Sequence, residues 1–101
     1  MKMDLDEMRT KCVEVSGLLK HFSHPQRLLI LCYLSEGEKQ VTDIHFAVGL
    51  SQSQTSQFLK RMQSEGLLGL RREKNFSYYY IEDKNVLKLI KSMHKIFCSG
   101  G

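Results

Sequence analysis

The chain has 101 residues, of which 42% are hydrophobic and 26% charged, and its formal net charge is +4. A chain of this length forms one domain, and its modest positive charge suits an anionic partner. Apolar runs fall well short of the ~18–20 residues of a membrane span, and the first residues lack an apolar signal-peptide core. We therefore expect a cytoplasmic protein without membrane contact.

Apolar residues at helical spacing predict a first helix over residues 4–22. Cys12 lies on its apolar stripe, which favours a small buried side chain at that position. The second helix, predicted over residues 25–35, begins at Pro25 because proline suits the first helical position. Its Leu28–Leu34 segment is apolar all round, so we expect it at the centre of the fold.

A helix-turn-helix is predicted in the middle of the chain, from a short helix over residues 41–48 and a longer one over residues 51–65. The apolar residues of the short helix, Phe46 included, are expected to point mostly inward. Gly49 can take the positive φ of the turn, and Ser51 is a suitable N-cap. Positions i, i+4 and i+7 of the longer helix form one buried stripe, made by Thr55, Leu59 and Met62.

The remaining surface of that longer helix carries amides, hydroxyls and two cations, with no acid before Glu65. Amides and hydroxyls bond base edges, while lysine and arginine bond bases or phosphates. The helix is therefore predicted to read a DNA major groove. The predicted groove residues are Gln52, Ser53, Gln54, Ser56, Gln57, Lys60 and Arg61.

After Gly66 the apolar period changes from 3.6 to 2, which predicts a β-hairpin over residues 67–82. A hairpin directly after a recognition helix is a wing, so the fold class is mainly α with a small hairpin, a winged helix-turn-helix. Three cations near the hairpin turn are predicted to reach DNA phosphates: Arg71, Arg72 and Lys74.

The last predicted helix, residues 83–98, has a broad apolar face opposite its lysines. We expect this face to pack against the first helix or against another copy of the last helix. We therefore expect the last and first helices to build a homodimer interface, with residues 1–101 forming one winged helix-turn-helix domain.

The order of these elements resembles the arsenical-resistance-repressor (ArsR) family of dimeric bacterial winged-helix repressors. The resemblance runs from about residue 8 to residue 98 and implies a regulator, not an enzyme, that binds double-stranded operator DNA until an inducer weakens its affinity. Its most similar segments are Leu18–Leu34, Gly49–Leu59, Glu65–Leu68 and Arg71–Arg72.

Many members of this family bind metals, but neither common site is evident here. One resembles a Cys-x-Cys pair in the third helix, whereas Val41–Ile44 contains no thiol. Another uses Asp and His on the last helix, where His94 stands alone. A closed site needs about four ligands, so we predict no metal and no cofactor.

The placement of Cys32 in the second helix and Cys98 at the end of the last resembles the sulfide- and redox-responsive subgroup of BigR-, SqrR- and HlyU-type regulators. Spacing alone would make Cys32 an inert core thiol. The resemblance instead implies that the two thiols are a sensing pair, with reactive sulfur species or oxidants as inducer. Phe58 stands where relatives usually carry His, which leaves base preference there open.

Two alternatives remain at this point. In the first, the same DNA-binding dimer is controlled by a metal or a partner protein, and its thiols are structural. In the second, the winged helix binds another protein instead of DNA. A thiol enzyme is disfavoured, because no nucleophile has a nearby base evident in the sequence.

Overall fold

The computed structural model describes residues 4–98 and contains five α-helices and three strands over that range. None of the helices within it is both long and apolar enough to cross a membrane. The helices are α1 (Leu5–Leu19), α2 (Pro25–Leu34), α3 (Val41–Val48), α4 (Gln52–Ser64) and α5 (Lys84–Phe97). The strands are β1 (Lys39–Gln40), β2 (Leu68–Glu73) and β3 (Phe76–Ile81).

The predicted winged helix-turn-helix is confirmed, with small differences at its ends. The first helix stops at Leu19 and Lys20–Phe22 tighten into a 3₁₀ turn. The helical backbone ends at Ser23, because Pro25 disfavours helical backbone at His24, the residue before it. His24 accordingly takes an extended conformation, and its Nδ1 accepts the Gln26 N–H to cap α2. Residues 1–3 and 99–101 of the predicted domain lie outside the described range.

The two-residue strand β1 was not predicted from the sequence. It pairs antiparallel with β3, so the hairpin becomes a three-stranded sheet in the order β1-β3-β2. Two residues are too few to show a period of 2, and only their pairing with Tyr79 and Tyr78 identifies them as a strand. The extra strand attaches the middle of β3 to the segment between α2 and α3.

The core forms where α2 meets the helix-turn-helix and α5. Its fully buried side chains include Ile30, Leu31, Ile44, Leu59, Met62, Val86 and Ile90. The buried stripe predicted for α4 is confirmed, because Thr55, Leu59 and Met62 all have zero exposure. The hydroxyl of Thr55 donates to the Ser51 carbonyl at 2.8 Å, which satisfies the polar group inside the core.

Three residues expected to point inward or to be buried are exposed, namely Phe46, Ala47 and Cys12. Phe46 is 75% exposed, because the inward face of α3 is formed by Val41, Ile44 and Val48, and Phe46 lies on the opposite side. The expectation for Cys12 is also wrong, since its thiol is exposed. The reason is that α1 contributes no buried residue to the chain's own core.

Candidate nucleic-acid interface and thiol groove

Helix α4 carries the predicted groove residues. Its N-terminus is capped, and its buried stripe packs against the core. Ser51 caps it, with the Gln54 N–H donating to the Ser51 hydroxyl at 3.1 Å and the Ser51 N–H donating to the Gln54 side chain at 3.3 Å. This capping box satisfies two backbone donors of the first turn. Ser56 is half-buried, while the other predicted groove residues are exposed: Gln52, Ser53, Gln54, Gln57, Lys60 and Arg61.

The turn before α4 depends on Gly49, which ends α3 with φ 75°. This left-handed conformation is routine for glycine and costly for a residue with a side chain. It directs the chain from α3 into α4 within three residues. The turn between α3 and α4 therefore depends on a left-handed residue, and the glycine at position 49 was evident in the sequence.

Phe58, the departure from the family pattern, is half-buried rather than free on the groove face. Its ring meets the ring of His24 edge-on, with centroids 5.2 Å apart. Aromatic pairs of this geometry add a modest attraction to the area they bury. Phe58 thus joins the middle of α4 to the start of α2.

An ion pair at the other end of α4 joins it to α2 again. The Arg27 guanidinium donates to the Glu65 carboxylate, and both side chains are largely shielded from solvent. Arg27 also lies 3.2 Å from Nδ1 of His21 in the 3₁₀ turn. The orientation of the reading helix is thus held by contacts at its middle and its C-terminal end, in addition to the buried stripe.

The wing carries two exposed cations close to its tip, Arg72 and Lys74. The strands are joined by the two-residue loop Lys74–Asn75, since Glu73 pairs with Phe76. Lys74 has φ 55°, the only positive φ of a non-glycine residue in the described part of the chain. Glycine is the residue favoured at such a loop position.

Replacing Lys74 with Gly is expected to stabilise the fold and weaken DNA binding together. Relief of the left-handed backbone should raise the free energy of unfolding by about 1 kcal/mol. Loss of the cation should reduce operator affinity. Chemical denaturation and operator titration measure the two effects. Lys74→Met is the matched control, because it removes the charge and keeps the strain; equal stability of the two variants would contradict the prediction.

Arg71, the third predicted phosphate contact, is already engaged within the chain. Its Nε and one Nη donate to Glu38 at 3.1 and 2.6 Å, and its other Nη donates to Glu73 at 2.6 Å. The guanidinium also lies 4.5 Å from the centre of the Tyr78 ring. Hydrogen bonding to Arg71 holds the pKa of Glu38 below its usual range. Arg71 thus ties the wing to the loop after α2, and its predicted phosphate contact stays a prediction.

Sequence reasoning missed Glu38, which precedes β1 and makes that bidentate contact. No sequence pattern indicates this ion pair, because Glu38 and Arg71 lie 33 positions apart and on different elements. Tyr80 shows a similar long-range effect. Its ring covers Gly69, where a Cβ would lie 2.3 Å from the ring, so a larger residue there would displace the end of the Tyr80 side chain.

The predicted sensing thiols line one groove between α2 and α5. Its volume is about 380 Å³. Cys32 is half-buried and Cys98 is exposed at the end of α5. Burial, and secondarily the negative charge of an ionised Cys98, raises the pKa of the Cys32 thiol. The groove is otherwise lined by Pro25, Leu28, Leu29, Met93, His94 and Phe97.

Cys12 lies on α1 and does not line that groove. Between residues 4 and 98, the structure brings together no group of three His, Cys, Asp or Glu side chains able to hold a metal ion. The thiol groove itself supplies Cys32, Cys98 and His94, with apolar side chains around them.

Helices α1 and α5 leave much apolar surface uncovered on a single chain. Val13 is 75% exposed, Ile96 68% and Phe97 79%. A groove of about 320 Å³ also runs between these helices, past Val15, Leu18 and Leu89. Exposed apolar patches of this kind are typical of surfaces that bind another protein.

Comparison with known proteins gives a consistent result. The family model described as "Bacterial regulatory protein, arsR family" matches residues 24–68. The chain is 32% identical over 97 residues to the biofilm growth-associated repressor of Xylella fastidiosa, spanning 96% of this chain and 85% of that protein. Because its relatives are named transcriptional regulators, the expectation of a regulator rather than an enzyme is confirmed.

Two solved structures extend the likeness to three dimensions. Reduced HlyU from Vibrio cholerae, a protein named as a transcriptional activator, superposes with a TM-score of 0.83 at 31% identity, covering 92% of this chain and 98% of that one. A homodimeric winged helix-turn-helix DNA-binding domain from Mycobacterium bovis gives 0.72 at 29% identity, covering 95% and 89%. The chain belongs to the arsR family of bacterial regulatory proteins.

Proposed function

We propose that this protein is a homodimeric transcriptional repressor that releases its operator when sulfur links Cys32 to Cys98. The observation that carries the proposal is that these two thiols, far apart in sequence, line one groove beside a helix-turn-helix with an acid-free reading face. DNA binding and thiol chemistry are then properties of one small domain.

The DNA-binding step uses α4 in the major groove and the wing on the phosphates. Amide and hydroxyl groups of α4 contact base edges, while Lys60 and Arg61 contact bases or phosphates. Arg72 and Lys74 supply the wing's phosphate contacts. Support comes from the exposure of these groups and from the name of the Xylella relative, a repressor.

The dimer uses α1 and α5, whose apolar side chains are exposed on the single chain. The Mycobacterium relative is described as homodimeric, which supports the same assembly here. A two-fold dimer places its two α4 helices in successive major grooves, about 34–36 Å apart. The operator is accordingly a pseudo-palindrome with half-sites one helical turn apart.

The switch is a covalent link between α2 and α5. Reactive sulfur species or oxidants convert the two thiols to a disulfide or a longer sulfur bridge. Only the difference in DNA affinity between bridged and unbridged conformations contributes to regulation. Helix α2 contacts α4 through the Arg27–Glu65 ion pair and the packing of His24 on Phe58. A displacement of α2 by the sulfur bridge therefore changes the angle at which α4 meets DNA.

The test is operator titration before and after treatment with a hydropersulfide. The unmodified protein should lose at least tenfold in affinity, which corresponds to about 1.4 kcal/mol of coupling. Cys32→Ser and Cys98→Ser should each abolish the response, and dithiothreitol should restore binding. Cys12→Ser is the matched control, because it removes a thiol outside the groove. A full response in both groove variants would overturn thiol control and favour a metal or a partner protein.

The two relatives are named for opposite directions of control, since one is a repressor and the other an activator. Sulfur-dependent release of DNA is compatible with either outcome at a promoter. A transcription assay with the bound operator placed across a promoter separates the two. We expect transcription to fall when the reduced protein is added, and a rise would contradict repression.

A further inference from the structure

Two side chains, Cys32 and His94, are common to three adjoining depressions between α2 and α5. The depressions have volumes of about 280, 380 and 210 Å³, and Cys98 lines the largest. His94 lies one helical turn before Cys98, so the two side chains fall on the same side of α5. The imidazole therefore borders the same space as both thiols.

The two thiols differ in their readiness to react. Cys98 is exposed, so reagents reach it from solution. Cys32 is half-buried, and burial raises the pKa of its thiol. Since the thiolate is the nucleophile, a thiol that holds its proton reacts slowly unless a neighbouring group accepts that proton.

Among the groups beside Cys32, His94 is the best suited to accept a proton. The titratable or charged side chains that line the depressions with it are Glu36, Lys91, Tyr33 and Cys98. Lysine and tyrosine hold their protons near neutral pH, and the Glu36 carboxylate is exposed and paired with Lys39 at 3.6 Å. Imidazole is the side chain that exchanges protons near neutrality.

We infer that Cys98 is the thiol that first takes sulfur, and that Cys32 then closes the bridge with His94 accepting its proton. The inference rests on the proposed thiol switch and assigns separate roles within it. His94 acts through Cys32 and is therefore a positioning and proton-accepting residue, not a ligand.

With a low-molecular-mass hydropersulfide RSSH as oxidant, the two steps balance. The Cys98 thiolate attacks the sulfane sulfur of RSSH, so that Cys98–S–SH forms and RS⁻ leaves. RS⁻ then takes up from solvent the proton that the Cys98 thiol had released, which gives RSH. Cys32 then loses its proton to His94, and its thiolate attacks the Cys98 Sγ. The S–S bond to the outer sulfur breaks, and HS⁻ leaves with the proton from His94 as H₂S. Two thiols are oxidised to one disulfide, and the sulfane sulfur is reduced to sulfide.

The order of reaction is tested with the two serine variants and cysteine hydropersulfide, followed by quenched mass spectrometry on the full-length protein. Cys32→Ser should gain one sulfur atom at Cys98 at the rate of the first step in the unmodified protein. Cys98→Ser should gain sulfur at Cys32 at least tenfold more slowly. Equal rates in the two variants would overturn the assigned order.

The role of His94 is tested by the pH profile of bridge closure, measured as H₂S release from protein carrying the Cys98 persulfide. His94→Gln should slow closure at pH 7 by about 100-fold, the range of general-base effects. Its profile should rise only at higher pH, where the Cys32 thiol ionises unaided. Added imidazole should restore part of the rate. An unchanged profile in His94→Gln would overturn the role of His94.

Two readouts keep this test separate from that of the proposed function. Lys95→Ala alters the next residue of α5, which lines none of the three depressions, and should leave closure unchanged. Sulfur addition at Cys98 should also be unchanged in His94→Gln. If His94→Gln closes normally while the bridge still releases DNA, the inference fails and the switch stands. If neither thiol is needed for release, the switch itself fails.

Discussion

Replacing Lys60 and Arg61 together with Ala should lower operator affinity at least 100-fold, or about 2.7 kcal/mol. Both side chains are exposed on α4, so the substitutions remove DNA contacts without opening the core. Because each phosphate contact releases counterions, the slope of log affinity against log salt should become shallower by roughly 0.9 per lost contact. A fluorescence titration at several salt concentrations measures both quantities.

The control for this double variant is Lys84→Ala with Lys95→Ala. It removes the same charge from exposed positions at the two ends of α5. If net charge alone attracted DNA, the two double variants would lose affinity equally. We expect the α5 variant to retain most of its affinity and salt dependence, and an equal loss would contradict the assignment of α4 as the reading helix.

Replacing Ile90 with Ala should lower the free energy of unfolding by about 2–5 kcal/mol, the range for large-to-small changes in a packed core. Ile90 is fully buried where α5 packs on the core. For a chain of this size, that loss is a large part of the total stability. Thermal and chemical denaturation at one fixed protein concentration measure it.

Ile96→Ala on the same helix is the matched variant, because Ile96 is 68% exposed on the single chain. Its effect should appear in dimer affinity and in the concentration dependence of the unfolding midpoint, since partner binding stabilises by mass action. Sedimentation equilibrium measures the first. A dimer of unchanged affinity would show that this end of α5 lies outside the interface.

The fold was predictable from the sequence because its signals are local. Pro25 marks the start of α2, Gly49 the turn, and Ser51 the cap of α4, and each acts within a few residues. The change of period after Gly66 marked the wing for the same reason. The interior of α4 was also predictable, because one stripe at helical spacing faces the core.

Other features depend on contacts between distant segments. The ion pairs of Arg71 and the strand β1 join the loop after α2 to the wing, and no local sequence pattern predicts these contacts. The exposure of Cys12 and Phe46 was misjudged because apolar character indicates a buried side chain without saying which surface covers it. The pairing of thiols was implied only by family resemblance.

The sequence by itself determined the order of helices and strands, the helix-turn-helix and its polar reading face, because periodicity, capping and turn chemistry act over short spans. Tertiary structure alone decided that Cys32, His94 and Cys98 border one groove, and that Arg71 faces carboxylates. Such contacts depend on how the helices pack in three dimensions, and the spacing of residues along the chain does not predict that packing.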